Sequence, residues 1–288
     1  MPRSLTINFD GDDSFKRVLS LILESPDVDP NTLQCGSEDD SLIEYASEQN
    51  DVELLKFLLE DGRFEPTYSA LYTACDEGND EIVKILLNDP RTKVGSYLLH
   101  VPCSSNQPST VKILLEDGRI DPNKKNEYGQ TPLHVACDEN ENDEEYNEIV
   151  KILLSDDIVD PTITDKEGFE PFYIACHYNN SKIAKTLLMD GRSNPNRIVK
   201  HGKTALHFAC SNGDLEIVKL LISDERVDAH KIDNDGLSPF QHACRSNRWD
   251  IINYMRSMYD DLVIPPKETN GGAKKSKKSS KKVEENEY

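Results

Sequence analysis

The stretch Thr131-Pro132-Leu133-His134-Val135-Ala136-Cys137 decides how this chain folds, because copies of it recur along the sequence. The stretch Thr204-Ala205-Leu206-His207-Phe208-Ala209-Cys210 is nearly the same. Looser copies occur as well, and each copy ends at a cysteine. This gives six regularly spaced, or phased, cysteines: Cys75, Cys103, Cys137, Cys176, Cys210 and Cys244. Successive cysteines of this series are 28, 34, 39, 34 and 34 residues apart. A period near 34 residues indicates internal repeats.

A second marker follows the first in almost every copy. It is a lysine that opens a short run rich in leucine, and it stands at Lys56, Lys84, Lys112, Lys151, Lys185 and Lys219. Apolar residues around both markers recur three and four positions apart, which is the spacing of an α-helix. Gly213 and Asp214 separate two such runs, where Gly can end one helix and Asp can cap the next. Each unit is therefore predicted to be two short helices that bury their apolar faces by stacking on neighbours.

These residues resemble the ankyrin repeat signature T-P-L-H-x-A. The connecting stretch Asp117-Gly118-Arg119-Ile120-Asp121-Pro122-Asn123 is also similar to the segment that links ankyrin repeats. The resemblance covers about residues 13–260 and implies an all-α ankyrin-repeat solenoid of stacked helix pairs with short β-hairpin fingers. We expect an N-terminal half-repeat cap in residues 1–40 and about seven helix pairs in residues 41–260. Residues 261–288 are expected to form a disordered, basic, Lys/Ser-rich C-terminal tail.

Composition narrows the class of protein. The 288 residues carry a net charge of −20 and are 36% hydrophobic. No window approaches the ~18 apolar residues of a membrane helix, and the first residues do not resemble a secretory leader. We therefore expect no transmembrane segment and a reducing, cytoplasmic and/or nuclear location. Residues 1–266 carry a net charge of −23, and this acidic body is expected to repel nucleic acid and anionic membranes.

The phased cysteines and motif histidines do not predict a metal, disulfide or catalytic site. Equivalent positions in stacked helices lie about 10 Å apart, too far for ligands within ~2.3 Å of one zinc ion or for a disulfide, which needs Cα atoms within ~7 Å. The cysteines stand where related repeats often carry alanine, so we interpret them as small core residues. The resemblance implies that His134 and His207 bridge backbone groups of neighbouring loops. We predict no enzyme activity, no cofactor and no metal.

The resemblance also implies where a partner would bind. Ankyrin fingertips and the exposed face of each first helix line a concave groove that binds other proteins. On the fingers, the candidate residues are Glu127, Tyr128, Lys166, Phe169, Lys200, His201, Lys203 and Leu237. On the first helices they are His177, Tyr178 and Arg245. Tyr128, Phe169, Tyr178 and Arg245 rank first, because aromatic and arginine side chains most often carry interface energy.

The N-terminal units depart from this pattern. Lys56 to Cys75 and Lys84 to Cys103 span only 19 residues, whereas later units take 25. We therefore expect little or no finger in these two units. Pro102 stands where an alanine is expected, so its helix should be bent, short or irregular. Partner binding is accordingly predicted for the C-terminal half of the groove.

Two charged segments have open interpretations. The acidic insertion 138–146 either grips a basic peptide or is a solvated loop, and we favour the loop. The tail lysines act as a nuclear-import signal, as an anchor for RNA or anionic lipid, or as a solubilising segment. These lysines are Lys274, Lys275, Lys277, Lys278, Lys281 and Lys282.

The sequence as a whole predicts a non-catalytic, monomeric scaffold or adaptor. It would bind another protein through the ankyrin groove, with rigid, preordered elements that lose little freedom on binding. The alternative is a regulator that associates with nucleic acid or an anionic membrane through its basic tail.

Overall fold

The computed structural model describes residues 5–7, 13–25, 28–35, 40–138 and 144–264. In this part of the chain, seven helix pairs follow one another. The first helices of the pairs are α2 (Leu42–Glu48), α4 (Tyr68–Glu77), α6 (His100–Ser104), α8 (Pro132–Cys137), α10 (Pro171–His177), α12 (Ala205–Asn212) and α14 (Pro239–Arg245). The second helices are α3 (Val52–Asp61), α5 (Asp80–Asn88), α7 (Pro108–Asp117), α9 (Glu144–Leu154), α11 (Ser181–Asp190), α13 (Leu215–Ile222) and α15 (Trp249–Met258).

A helix and a small sheet precede the pairs. Helix α1 spans Asp13–Leu23. Strand β2 (Leu33–Cys35) runs parallel to β1 (Leu5–Ile7) and antiparallel to β3 (Asp40–Ser41). The helical solenoid is as predicted, and this three-stranded sheet at its N-terminal end was not.

The pairs stack in two layers. Each first helix packs against the first helices before and after it, and the second helices do the same. A continuous apolar core lies between the layers, as repeats that cannot bury their faces alone require. The six phased cysteines are free thiols, of which Cys244 is half-buried and the others are buried. Burial raises the pKa of Cys75 to about 12, so this thiol is inert at neutral pH, as expected for a small core residue.

The connections between pairs fall into two classes. Six residues join α3 to α4 and eleven join α5 to α6, whereas the four later connections contain 14 to 16 residues. The long connections carry four fingers, which we name the first (residues 124–130), second (163–169), third (197–203) and fourth (231–237). The β-hairpin prediction is not confirmed, because the described backbone of these fingers forms turns rather than paired strands.

Helix α6 shows how Pro102 is accommodated. Helices α8, α10, α12 and α14 begin at the second residue of the repeated motif, but α6 begins two residues later, at His100. Pro102 thus lies in the first turn, where backbone N–H groups have no partner within the helix. The missing N–H therefore breaks no helical hydrogen bond, and the result is a helix of five residues.

An Asp-x-Arg clamp ties five units to the preceding unit. In each clamp the arginine pairs with an aspartate two residues before it, in Asp61–Arg63, Asp89–Arg91, Asp117–Arg119, Asp190–Arg192 and Asp224–Arg226. The same guanidinium donates to a carbonyl of the unit before, as from Arg119 to Leu87 O at 2.8 Å. Its hydrogen bond to Asp117 holds the pKa of that carboxyl below its ordinary value. In the fourth unit Ile158 stands in the arginine position.

Candidate interaction surface

A short polar side chain shapes three of the fingers. Asn126 Oδ1 accepts from the N–H of Tyr128 at 2.9 Å and of Gln130 at 3.0 Å. Asp165 and Asp233 accept the equivalent pairs of N–H groups in the second and fourth fingers. This side chain replaces a backbone turn, which asparagine and aspartate do well. The third finger has Val199 at this position and so lacks the side-chain acceptor, but it keeps the backbone hydrogen bond that all four fingers share, from Val199 N to Lys203 O at 2.8 Å.

The fourth finger has an additional buried anchor. His242 Nε2 lies 2.7 Å from Asp233 Oδ2, and both residues are buried. Burial acts to raise the pKa of Asp233, but hydrogen bonds from His242 and from two backbone N–H groups outweigh it and hold this pKa at about 2. The carboxylate therefore stays ionised and keeps the finger in place.

Neighbouring fingers touch through their backbones. Lys166 N donates to Tyr128 O at 3.1 Å, and Asn234 N donates to His201 O at 3.0 Å. A Cβ atom on Gly129 would lie 2.7 Å from Lys166 N, so this close approach requires glycine. The first and second fingers are thus fixed to each other, as are the third and fourth.

The motif histidines link successive units, as predicted. Thr131 N donates to His134 Nδ1 at 3.1 Å, so the proton of the neutral ring is on Nε2, which lies 3.0 Å from Phe169 O. His207 repeats the arrangement, with Nε2 at 3.2 Å from Leu237 O. Burial lowers the pKa of both histidines, although hydrogen bonds to the neighbouring finger act against it. Both rings are therefore structural and neutral at pH 7.

The predicted site residues lie on the fingers and at the ends of the first helices, and we call these parts together the finger face. It consists of the four fingers and the exposed C-terminal ends of the first helices. Its exposed members are Glu127, Tyr128, Lys166, Lys200, His201, His177 and Arg245. Its half-buried members are Phe169, Lys203, Leu237 and Tyr178.

Part of this set converges on an aromatic cluster in the middle of the C-terminal half. The rings of Phe169 and Tyr173 stack with centroids 4.4 Å apart, and Tyr173 and His177 stack at 6.0 Å. Phe208, from the next first helix, packs nearly perpendicular to Tyr173, with ring centroids 5.2 Å apart. Tyr178 meets His177 edge to face at 5.2 Å. These rings, which we call the aromatic cluster, join the second finger to α10 and α12.

Two lysines of the third finger lie over the aromatic cluster. Lys200 Nζ is 5.5 Å from the centroid of Phe169, and Lys203 Nζ is 5.4 Å from that of Phe208. These distances are within the range of cation–π attraction. Lys200 also pairs with Glu167 at 2.8 Å. The cluster thus combines exposed ring surface with positive charge in a body that is strongly negative.

The other high-ranked residues lie outside this cluster. Tyr128 is at the tip of the first finger and 65% exposed. Arg245 ends α14, two units beyond α10.

Within the cluster, Tyr178 also contacts the preceding unit. A hydrogen bond to Asp138, at the end of that unit's first helix, raises the pKa of Tyr178.

Sequence reasoning missed two members of the cluster. Tyr173 holds the motif position of His134, and Phe208 lies inside the repeated motif, so neither was singled out as a surface residue. A usable signal was present, because Phe169, Tyr173 and His177 are four residues apart and so lie on one face across the start of α10. Phe208 is one position after His207, in the next unit.

Several predictions fall on residues that the structure does not describe. The tail lysines lie beyond residue 264 and outside the described residues, as does most of the acidic insertion, at 139–143. In the described ranges, no three His, Cys, Asp or Glu side chains are grouped so that they could hold a metal ion. None of the helices described is long and apolar enough to cross a membrane.

Comparison with protein families gives one result that covers most of the chain. The family model for ankyrin repeats matches residues 10–96, 71–165, 99–199 and 172–264. No curated protein is similar enough to the chain to count as a match.

Proposed function

The chain belongs to the ankyrin repeat family, and we propose that it is a non-catalytic scaffold that binds a partner protein through the C-terminal half of its finger face. Ankyrin repeats are generally protein–protein interaction modules, and the family is typically non-enzymatic. The proposal specifies which surface of this chain binds the partner and which kinds of side chain make the contact.

The aromatic cluster is the observation that carries the proposal. Rings at the centre of a contact contribute most of the binding energy when a partner shields them from water. Phe169, Tyr178 and Phe208 are each half-buried, so they are held in place and still offer surface. Lys203 adds a charge that suits a carboxylate on the partner, whereas Lys200 already pairs with Glu167. A partner segment with an apolar side chain beside an acidic one fits this arrangement.

Rigidity supports the same proposal. Three of the fingers are held by Asx turns, and finger-to-finger hydrogen bonds and histidine bridges add to this. A surface that is already ordered loses little conformational freedom when it binds. The acidic body would also steer a partner of mixed charge toward it.

The test uses the full chain as bait. Proteins retained by the unaltered chain are identified and compared with those retained by the single variants Phe169→Ala, Tyr178→Ala, Tyr128→Ala and Arg245→Ala. We expect a specific partner to be lost with Phe169→Ala and Tyr178→Ala, each costing at least ~2 kcal/mol of binding. The melting temperature should change little for exposed positions.

Met189→Ala is the matched control, because Met189 is exposed on the second helix α11, in the other layer. The proposal fails if all four finger-face variants retain the partner. It also fails if Met189→Ala loses the partner as they do.

The tail remains a separate prediction. If the six lysines bind RNA or anionic lipid, replacing them with glutamine should abolish the binding and its salt dependence, because counterion release requires these charges. Loss of nuclear import in the same variant would instead assign these lysines to nuclear targeting. We propose that the protein is located in the cytoplasm, in the nucleus or in both. The partner of the finger face should be retained in either case.

A further inference from the structure

Three tyrosines in the N-terminal half form an exposed surface that the proposed site does not use. Tyr68 is 40% exposed, Tyr72 is 42% exposed and Tyr97 is 50% exposed. The rings of Tyr68 and Tyr72 are 6.2 Å apart and lie one helical turn from each other on α4. We call Tyr68, Tyr72 and Tyr97 the tyrosine ledge.

The missing fingers leave this ledge uncovered. Tyr72 occupies the motif position of His134, which is fully buried under the second finger. The unit after Tyr72 is joined by the short connection 89–99, so no finger covers the tyrosine. Tyr68 packs instead on Gly95 in that connection, where a Cβ atom would lie 2.3 Å from the Tyr68 ring. The rings are thereby fixed but remain open to solvent.

The side of the first finger that faces the ledge is also open. In the second finger, Lys166 N donates to the finger before it. The equivalent atom of the first finger is Glu127 N, and among the described residues it has no acceptor. An extended chain lying on the ledge could offer a carbonyl to this N–H.

Charge distinguishes the ledge from the C-terminal half. The first helix that carries Tyr68 and Tyr72 ends with Asp76, one turn beyond Tyr72, and with its neighbour Glu77. The corresponding ends of α10 and α14 carry His177 and Arg245 instead. Glu65 and Lys93, in the two short connections, balance each other. The rings of the ledge therefore lie near acidic side chains, whereas Lys200 and Lys203 lie over the rings of the aromatic cluster.

One ring of the ledge already contacts a cationic side chain of the protein itself. Lys124, at the base of the first finger, holds its Nζ 5.9 Å from the centroid of Tyr97. For Tyr68 and Tyr72 no such cation is present among the described residues. A planar guanidinium suits such rings better than an ammonium, because it stacks on them and loses less hydration.

We infer that the tyrosine ledge binds an extended, arginine-bearing segment of a partner protein. The arginines would lie over Tyr68 and Tyr72 and pair with Asp76 or Glu77, and the segment would fill the space of the absent fingers. This site is separate from the aromatic cluster, so the inference does not require that the cluster bind anything.

The basic tail of the same chain is a poorer occupant. Unit spacing of about 10 Å places the ledge about 50 Å from the end of the array. Nine residues lie between Ile264 and Lys274, so these two residues are at most about 36 Å apart. Lys274, Lys275 and Lys277 therefore cannot reach the ledge of their own chain, and the tail contains no arginine.

The experiment measures binding of short labelled peptides to the full chain by fluorescence anisotropy. One probe is a capped, nine-residue peptide with arginine at every third position among glycine and proline, and the other has glutamate at those positions. We expect the arginine probe alone to bind. Tyr72→Leu, which keeps the apolar area but removes the π face, should weaken it about two- to fivefold. Glu77→Gln should weaken it by a similar factor at low salt.

Matched controls keep the result specific. Glu81→Gln removes one acid from the same unit but from the second helix α5, and it should leave the affinity unchanged. Phe169→Ala, in the aromatic cluster, should also leave it unchanged, which separates failure of this inference from failure of the proposed function. Circular dichroism confirms that each variant is folded.

Three outcomes would overturn the inference. The first is equal binding of the glutamate probe. The second is full affinity in the double variant with Tyr72→Leu and Glu77→Gln. The third is a tenfold gain in affinity when the six tail lysines are changed to glutamine, because the tail would then be the natural occupant.

Discussion

The two halves of the array place the same motif positions in opposite environments. In the C-terminal half, His207 is buried and joined to the following finger, and fingers stack on one another. In the N-terminal half, Tyr72 holds the equivalent position and is exposed, because the next connection is short. The length of the connection, rather than the motif itself, therefore decides whether this position stabilises the fold or faces solvent.

Long connections stabilise one half of the chain, whereas short connections leave side chains of the other half exposed for recognition. A long connection supplies carbonyls that a buried histidine can reach, and it covers the start of the next unit. A short connection removes both the carbonyl and the cover. The fingered half should accordingly be the more stable, and the fingerless half the more tolerant of substitution at equivalent positions.

The largest expected contrast is in local stability. Residues 94–107 contain the five-residue helix α6, and a repeat array can open one weak unit separately. We expect amide hydrogens there to exchange at least a hundredfold faster than those of 171–178, which corresponds to an opening free energy lower by about 3 kcal/mol. Hydrogen exchange followed by mass spectrometry measures this. Uniform protection across residues 41–260 would contradict it.

The second contrast compares one position in the two halves. His207→Ala removes the bridge and leaves Thr204 N without its acceptor in a buried site. We expect a loss of about 2–3 kcal/mol in the free energy of unfolding. Tyr72→Ala should cost no more than about 0.5–1 kcal/mol, because the ring is exposed. Urea denaturation gives both values, and similar losses at the two positions would refute the comparison.

The histidine bridges also predict a pH dependence. His134 and His207 have their pKa lowered from 6.5 by burial, so the unfolded chain binds protons more readily than the native one. Their contribution is therefore complete above pH 6.5 and is lost as the pH falls through the lowered pKa values. Thermal melts between pH 7.5 and 5 should show falling stability.

A variant with His134→Gln and His207→Gln serves as the control for this dependence. Gln241 already holds the same position in the last unit and accepts from Ser238 N at 2.9 Å. The double variant should show a flatter pH profile over the same range. An unchanged slope would assign the dependence to other groups.

The smallest expected effect is an increase in stability. Ile158 is exposed where five other units carry the clamp arginine, and Asp156 stands two residues before it. Ile158→Arg should complete a sixth clamp and stabilise the protein by up to about 1 kcal/mol, the usual limit for an exposed ion pair. Ile158→Lys is the control, because an ammonium cannot pair in the bidentate way that a guanidinium does. Equal gains from both variants would show that net charge, not the clamp, is responsible.

The repeated features of the fold could be predicted from the sequence, because they depend on local chemistry. The buried cysteines, the bridging roles of His134 and His207 and the short helix at Pro102 follow from spacing and residue type. Gly213 ends α12 with a φ of 95°, as its position indicated. Asp214 does stand at the start of α13, but its side chain makes no capping hydrogen bond there.

Features that join different units were harder to predict. The Asp-x-Arg clamp depends on carbonyls about 30 residues away, and only the stacked arrangement brings these within reach. The aromatic cluster joins Phe169 and Tyr173 of one unit to Phe208 of the next. The sequence identified Phe169, Lys200 and Lys203 as surface residues, but their convergence depends on how finger and helix pack.

The histidine bridge and the arginine clamp point in opposite directions along the chain. Each histidine reaches forward to the finger that follows, and each arginine reaches back to the helix end that precedes. A single unit removed from the array would therefore keep its histidine and its arginine but lose the carbonyl groups that they contact in the neighbouring units. Lengthening the protein by duplication should succeed best when the inserted segment brings its own histidine and arginine. Extension beyond α15 would require a histidine in place of Gln241, which contacts no following finger among the residues that the structure describes.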